Sequence, residues 1–188
     1  MKKFTPTHRI IHWIIATSMF VLLATGFLRM YWMGRKTISA AITNELTPKG
    51  IHLQDESLRA IAKTIINPMF EWHVNFAYIL VFAYLLRIIY MLAKGIKFPN
   101  PFSSNTSGKE KLQGVVYLVF YLLLLVEITT GMMLKFELAG DEILEKAEEI
   151  HKWAIYWMPT FIILHFAGIT LAELTNKKGI VSKMIGGE

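Results

Sequence analysis

The sequence predicts an all-α fold: an integral membrane four-helix bundle with both termini cytoplasmic. Three observations predict it. Of 188 residues, 54% are hydrophobic. The apolar residues come in long uncharged runs rather than in alternation with polar ones, and the charges collect in the links between runs. A bilayer-spanning helix needs ~20 mostly apolar residues. Four segments meet that length: Ile10–Leu28, Trp72–Leu92, Leu112–Leu134 and Ile150–Leu171. These spans and their links use up the chain, so 1–188 reads as one transmembrane domain. The net charge of +6 sits mostly in the links, which is ordinary for a membrane protein and gives no reason to expect a nucleic-acid partner.

The first span follows Met1-Lys2-Lys3, as a signal peptide would. Its apolar run is too long and lacks a small-residue cleavage site, so an uncleaved first helix is expected. Orientation follows from the positive-inside rule. The N-terminus, second link and C-terminus share one side, which carries Lys2, Lys3, Arg9, Lys94, Lys97, Lys109, Lys111, Lys177, Lys178 and Lys183. The third link, Lys135 to Glu149, is acidic, with Glu137, Asp141, Glu142, Glu145, Glu148 and Glu149. The first link is mixed: Arg29, Arg35, Lys36, Lys49, Arg59 and Lys63 stand beside Glu45, Asp55, Glu56 and Glu71.

Within that first link, Asp55 can cap a helix with Leu58, Ile61 and Ile65 at helical spacing, and Asn67-Pro68 is expected to stop it. Such a helix would lie on the outer membrane surface, as a shield for the bundle end or as part of a docking face. The second link, Phe98-Pro99-Asn100-Pro101-Phe102-Ser103-Ser104, reads as a rigid turn followed by a polar loop. Thr25-Gly26 and Thr130-Gly131 lie late in two spans that both run outward, an echo too short to establish a repeat.

The chain has no cysteine. That excludes disulfides, cysteine-held iron–sulfur clusters and haem attached through Cys-x-x-Cys-His. It leaves the redox compartment unread.

The six histidines are His8, His12, His52, His73, His151 and His165. His12, His73, His151 and His165 lie in or at the ends of the spans. A lone span histidine is more often a packed residue than a ligand, but four at matching depths change that. His12 is near the inner end of span one, and His73 and His151 are at the outer ends of spans two and four. His165 lies 14 residues beyond His151, which on a straight helix is ~21 Å further in and within ~40° of the same face. The four sort into an inner pair, His12 and His165, and an outer pair, His73 and His151.

Two imidazoles on facing helices are what a six-coordinate haem requires, since the porphyrin supplies the other four nitrogens. Closed iron of this kind favours electron transfer. Zinc would need more ligands converging at one level, and the methionines form no pattern that would suit copper. His8, one turn before His12, is either an alternate inner ligand or a surface residue among basic neighbours. His52 reads as solvated. Gly26, Gly131 and Gly168 either let a flat macrocycle approach or serve close helix packing. Glu127 in span three either exchanges protons or holds a propionate, or is a carboxyl hydrogen-bonded within the bundle. Arg9, Arg87, Lys94 and Lys111 can pair with propionates or anchor headgroups. Trp13, Trp32, Trp72, Trp153 and Trp157 fit aromatic belts.

The His12-Trp13 pair opening span one, single His73 opening span two, a span three without histidine, and His151 and His165 spaced by 14 in span four resemble the bacterial cytochrome b561 and nickel–iron hydrogenase b-type cytochrome superfamily. That superfamily includes the cytochrome subunits of formate dehydrogenases and the superoxide oxidase. The resemblance covers all four spans. It implies two haems b, one ligated from spans one and four and the other from spans two and four. It also implies exchange with a quinone, a redox protein partner at the outer face and a place in the bacterial cytoplasmic (inner) membrane. The longer first link departs from the minimal members. An electron-relay subunit is expected; a stand-alone superoxide:quinone oxidoreductase and a haem-free transporter or scaffold are the alternatives.

Overall fold

The computed structural model describes residues 4–94, 99–104, 106–175 and 178–187. Phe98 of the predicted turn and Lys2, Lys3, Lys97 and Lys177 of the basic side lie outside them. The described residues are all-α: α1 (Pro6–Phe27), α2 (Arg35–Leu46), α3 (Asp55–Ala93), α4 (Gly108–Phe136), α5 (Asp141–Lys152), α6 (Ala154–Leu174) and α7 (Ile180–Ile185). A π-turn, Leu28–Trp32, extends α1, and a 3-10 turn, Thr47–Lys49, follows α2.

Four stretches are long and apolar enough to cross a membrane: Pro6–Trp32, Asp55–Ala93, Gly108–Phe136 and Asp141–Leu174. They are the four predicted spans, each extended at both ends. Phe20, Phe82, Leu92 and Phe166 are 63–78% exposed. Rings and isobutyl groups presented outward along these helices need a hydrocarbon solvent.

Two compact units divide the chain: Met1–Ile15 with Val81–Glu188, and Ala16–Leu80.

In the unit Ala16–Leu80, the predicted surface helix is not a separate element. Asp55 does begin a helix, with Asp55 and Glu56 in its first turn, where carboxylates offset the positive helix end. Asn67-Pro68 does not stop it, and α3 continues through Pro68 for 39 residues in all. Proline in a helix interior costs ~3 kcal/mol through its missing N–H and its clash with the preceding turn. The apolar run on both sides continues the helix regardless, as membrane helices commonly do. At ~1.5 Å per residue α3 is ~58 Å long against an apolar thickness of ~30 Å. Its first half is therefore one continuous helix with the span rather than a separate element. The inward stripe also differs by one position. Ala62 and Ile66 are buried, whereas Ile61 and Ile65 are exposed, so the face follows i, i+4 steps from the half-buried Leu58.

In the other unit, Ser107 opens α4 with a capping box: its hydroxyl accepts from Glu110 N, and the Glu110 carboxylate accepts from Ser107 N. Before it, the Asn100 side chain accepts from Phe102 N at 2.9 Å and its carbonyl from Ser103 N at 3.3 Å, the tight turn expected there. α4 ends on Glu137 in the left-handed region at φ 50°, with Leu138 N returning to Met133 O, so the last carbonyls are satisfied.

The acidic third link is a helix, α5, not a loop. Lys146–Glu142 (2.6 Å) and Lys152–Glu148 (2.7 Å) are i, i+4 pairs on its surface. It packs on α4 through buried Ala147. A tightened turn at Trp153, where Trp153 N bonds Ile150 O, separates α5 from α6. His151 therefore sits on α5 and His165 on α6, and the straight-helix estimate of their separation runs through a junction. Beyond α6, the Glu173 carboxylate accepts from Gly179 N (2.6 Å) and Ile180 N (2.9 Å), fastening the start of α7.

Gly114 is buried on α4, and a Cβ there would overlap the Pro99 carbonyl and stand 3.2 Å from Pro101 Cδ. Neither backbone nor pyrrolidine ring yields cheaply. Gly114→Ala is expected to destabilise the protein by ~1–3 kcal/mol, read as a lowered thermal midpoint in detergent.

Candidate functional site

The candidate ligands are four histidines, distributed over the two units. α1 supplies His12, α3 His73, α5 His151 and α6 His165.

His12 and His165 are brought together: their ring centroids are 6.1 Å apart and the planes are inclined by 42°. His165 is held from behind by an aromatic stack. Phe161 lies 5.6 Å from it at 19°, and Phe120 lies 4.1 Å from Phe161 at 22°. His12 packs edge-on to Trp13, whose Nε1 donates to Met184 O at 3.3 Å.

His73 belongs to the unit Ala16–Leu80. Its Nδ1 is 2.8 Å from Thr25 Oγ1, and Phe70 stacks on it at 6.2 Å and 4°. The Thr25 hydroxyl has one proton, which it directs at Val21 O at 2.7 Å. With the hydroxyl proton so directed, the Thr25 oxygen is able to accept from the ring when Nδ1 carries the proton.

His151, in the other unit, repeats the arrangement. Its Nδ1 is 3.1 Å from Thr130 Oγ1, and that hydroxyl donates to Val126 O at 2.9 Å. A Cβ at Gly131 would lie 3.1 Å from His151 Cε1, so the absence of a side chain there lets the imidazole approach α4. The Thr-Gly echo in the sequence thus has a physical meaning. In each pair, the threonine orients a span histidine from a neighbouring helix. Neither Thr25 nor Thr130 was singled out from the sequence as a site residue, although the echo was the available signal.

Glu127 is buried beside this group. Its Oε1 accepts from Trp157 Nε1 at 2.9 Å. Its Oε2 is 3.0 Å from His151 Nδ1, yet outside hydrogen-bond alignment; the aligned partner of the ring is Thr130. Trp157 is half-buried and turned inward, not a belt residue like the exposed Trp13, Trp32, Trp72 and Trp153.

His8 packs against Phe4 (5.1 Å) and Tyr90 (6.2 Å), and His52 is exposed. Arg9 Nη1 donates to Ile185 O at 3.1 Å and Arg87 Nε to Tyr121 Oη at 3.3 Å. Arg9 Nε and Arg87 Nη1 are buried without a hydrogen-bond acceptor. Among the described residues, no group of three His, Cys, Asp or Glu side chains converges to hold a metal ion.

The described residues hold four stretches long and apolar enough to cross a membrane, the architecture of a multi-pass membrane protein. The profile of the prokaryotic cytochrome b561 family matches residues 3–187, and the chain belongs to that family. Comparison with curated proteins and with solved structures returned no match.

The family implies haem, and the residues fit it. His12 and His165, with ring centres 6.1 Å apart, would be the residues to hold one such group, and it would supply a one-electron iron couple there. The buried Arg87 Nη1 is a donor of the kind an anionic propionate takes.

Gly131→Ala presses on the His151 ring, and Thr130→Val removes its hydrogen-bond partner. Each is expected to lower the thermal midpoint in detergent. Because both act on one imidazole, the double variant should lose less than the sum of the two; strict additivity would show that they do not share it.

Proposed function

We propose that this chain is a membrane di-haem cytochrome b in a four-helix bundle with both termini cytoplasmic. In this reading it relays electrons across the bacterial inner membrane between the quinone pool and a redox protein at the outer face. His12 and His165 bind the inner haem, and His73 and His151 the outer. The 6.1 Å approach of the His12 and His165 rings is the observation that carries the reading. The outer pairing rests on the depths read from the sequence.

Support also comes from the Nδ1 hydrogen bonds of His73 and His151 to threonine hydroxyls. A metal-binding histidine characteristically donates its other ring N–H to such a partner, which sets the tautomer and the ring direction. In this reading Nε2 of each ring is the nitrogen turned to the iron. When bound, haem closed by two imidazoles supplies a one-electron iron couple with no open position for catalysis at the metal. The chain's own part is to hold the rings, exclude water and set the distances. A Cβ at Gly26 or Gly168 meets nothing within 4 Å, which suits the approach of a flat macrocycle to those helix faces. The exposed carboxylates of α5, including Glu145, Glu148 and Glu149, offer a basic partner a docking face.

Protein purified in detergent is expected to show a bis-histidine b-type spectrum and to release two haems per chain into acidified organic solvent. Replacing His12 or His165 should remove one redox component, replacing His73 or His151 the other, and replacing His8 neither. A stoichiometry of one, or a loss shared by His12 and His151, overturns the two-level arrangement. A chain that by itself consumes superoxide and reduces quinone would be the stand-alone enzyme instead.

Neutralising Glu145, Glu148 and Glu149 together is expected to slow electron exchange with the outer partner and leave reduction by a quinol analogue unchanged, measured by stopped-flow absorbance of the haems.

A further inference from the structure

The short helix α7 is fastened to the start of α1 at two points. Arg9 Nη1 donates to Ile185 O at 3.1 Å, and Trp13 Nε1 donates to Met184 O at 3.3 Å. A Cβ at Gly187 would fall 2.8 Å from Arg9 Cζ, so backbone lies directly against the guanidinium there. Beside these contacts is a cavity of about 380 Å³, lined by Pro6, Arg9, Ile10, Trp13, Ile14 and Ile185. All of these residues belong to one compact unit. The size is that of a small-ligand site, ~300–1,000 Å³.

The lining has one cation and no anion. A guanidinium carries five N–H donors. Arg9 Nε is buried without an acceptor, and no carboxylate among the described residues forms an ion pair with Arg9. A buried charged donor left without an acceptor is costly. A phosphate diester offers two oxygens that a guanidinium can take together. The rest of the lining is apolar, and Ile10, Trp13, Ile14 and Ile185 are exposed. Arg9 and Trp13 are one turn apart at the end of a membrane span, the level at which headgroups meet hydrocarbon. Ile10 and Ile14 continue the strip into the span. A cation at that level with an apolar strip beside it is complementary to an anionic amphiphile rather than to a soluble anion.

We propose that this cavity binds one anionic phospholipid, with Arg9 taking the phosphate diester and an acyl chain lying along Ile10 and Ile14 beside Ile185. The lipid bridges α1 and α7 and holds the short helix on the span. The inference does not depend on the haem ligation proposed above.

The test is a lipid titration of the full chain, delipidated in mild detergent and read by native mass spectrometry. Phosphatidylglycerol is compared with phosphatidylcholine of the same chains, whose choline cation offsets its phosphate. The wild type should bind one phosphatidylglycerol about tenfold more tightly than phosphatidylcholine, the worth of one charge-assisted bond. Arg9→Gln should bring the two lipids level. Ile185→Glu, at an exposed position, sets a carboxylate at the cavity with Arg9 intact. It should also abolish the preference, and it decides the matter if Arg9→Gln fails to fold. Phosphatidylglycerol should raise the thermal midpoint of the wild type and of neither variant. Glycerol phosphate in excess should not displace the lipid. A wild type without headgroup preference, variants that keep the preference, or displacement by glycerol phosphate overturns the proposal.

Discussion

A polar ring carried into hydrocarbon has no water to satisfy it, so the protein must supply a partner for its nitrogens. The rest of the site depends on how that demand is met. At His73 and at His151 the partner is a threonine hydroxyl that is itself committed to its own helix, through Val21 O and Val126 O. A threonine on one helix thus holds a ring on another. The back-bond to the preceding turn would be a mild liability on an ordinary helix. Here it keeps the threonine oxygen turned toward the imidazole.

A different kind of contact surrounds His165. Phe161 and Phe120 stack in line with His165, and Phe120 meets Trp157 at 6.4 Å and 67°. Trp157 bonds Glu127, and Glu127 lies against His151. A continuous series of rings and hydrogen bonds therefore runs from one span histidine to another within a single unit of the chain. Such rings have few rotatable bonds, so each fixes the next.

Much of this was legible in the sequence because hydrophobic length is a strong signal. The four spans needed only apolar runs. The side-chain partners were harder to read. Trp157 resembled its belt neighbours, and nothing local distinguishes an indole turned inward toward Glu127. Asn67-Pro68 carried a helix-stop signal that the apolar context overrode, because Ile66 and Met69 continue the run on either side. The break at Trp153 had no glycine to announce it. The Thr-Gly pairs were visible but meant nothing until a histidine was found beside each threonine.

The helical character of the third link changes what that segment is. A link of glutamates read as solvated loop would leave His151 at the frayed end of a membrane helix. Instead α5 is a 12-residue helix with its own hydrogen-bonded turns. One face carries Leu144, Ala147 and His151, of which Ala147 is buried and the other two half-buried. The opposite face carries Glu142, Glu145 and Glu149, all exposed. The i, i+4 pairs Lys146–Glu142 and Lys152–Glu148 and the contact with α4 hold this element as a unit. A histidine and an acidic surface that would be independent in a loop are therefore presented by one rigid element. The orientation of the imidazole and of the charges toward solvent is set by the same backbone.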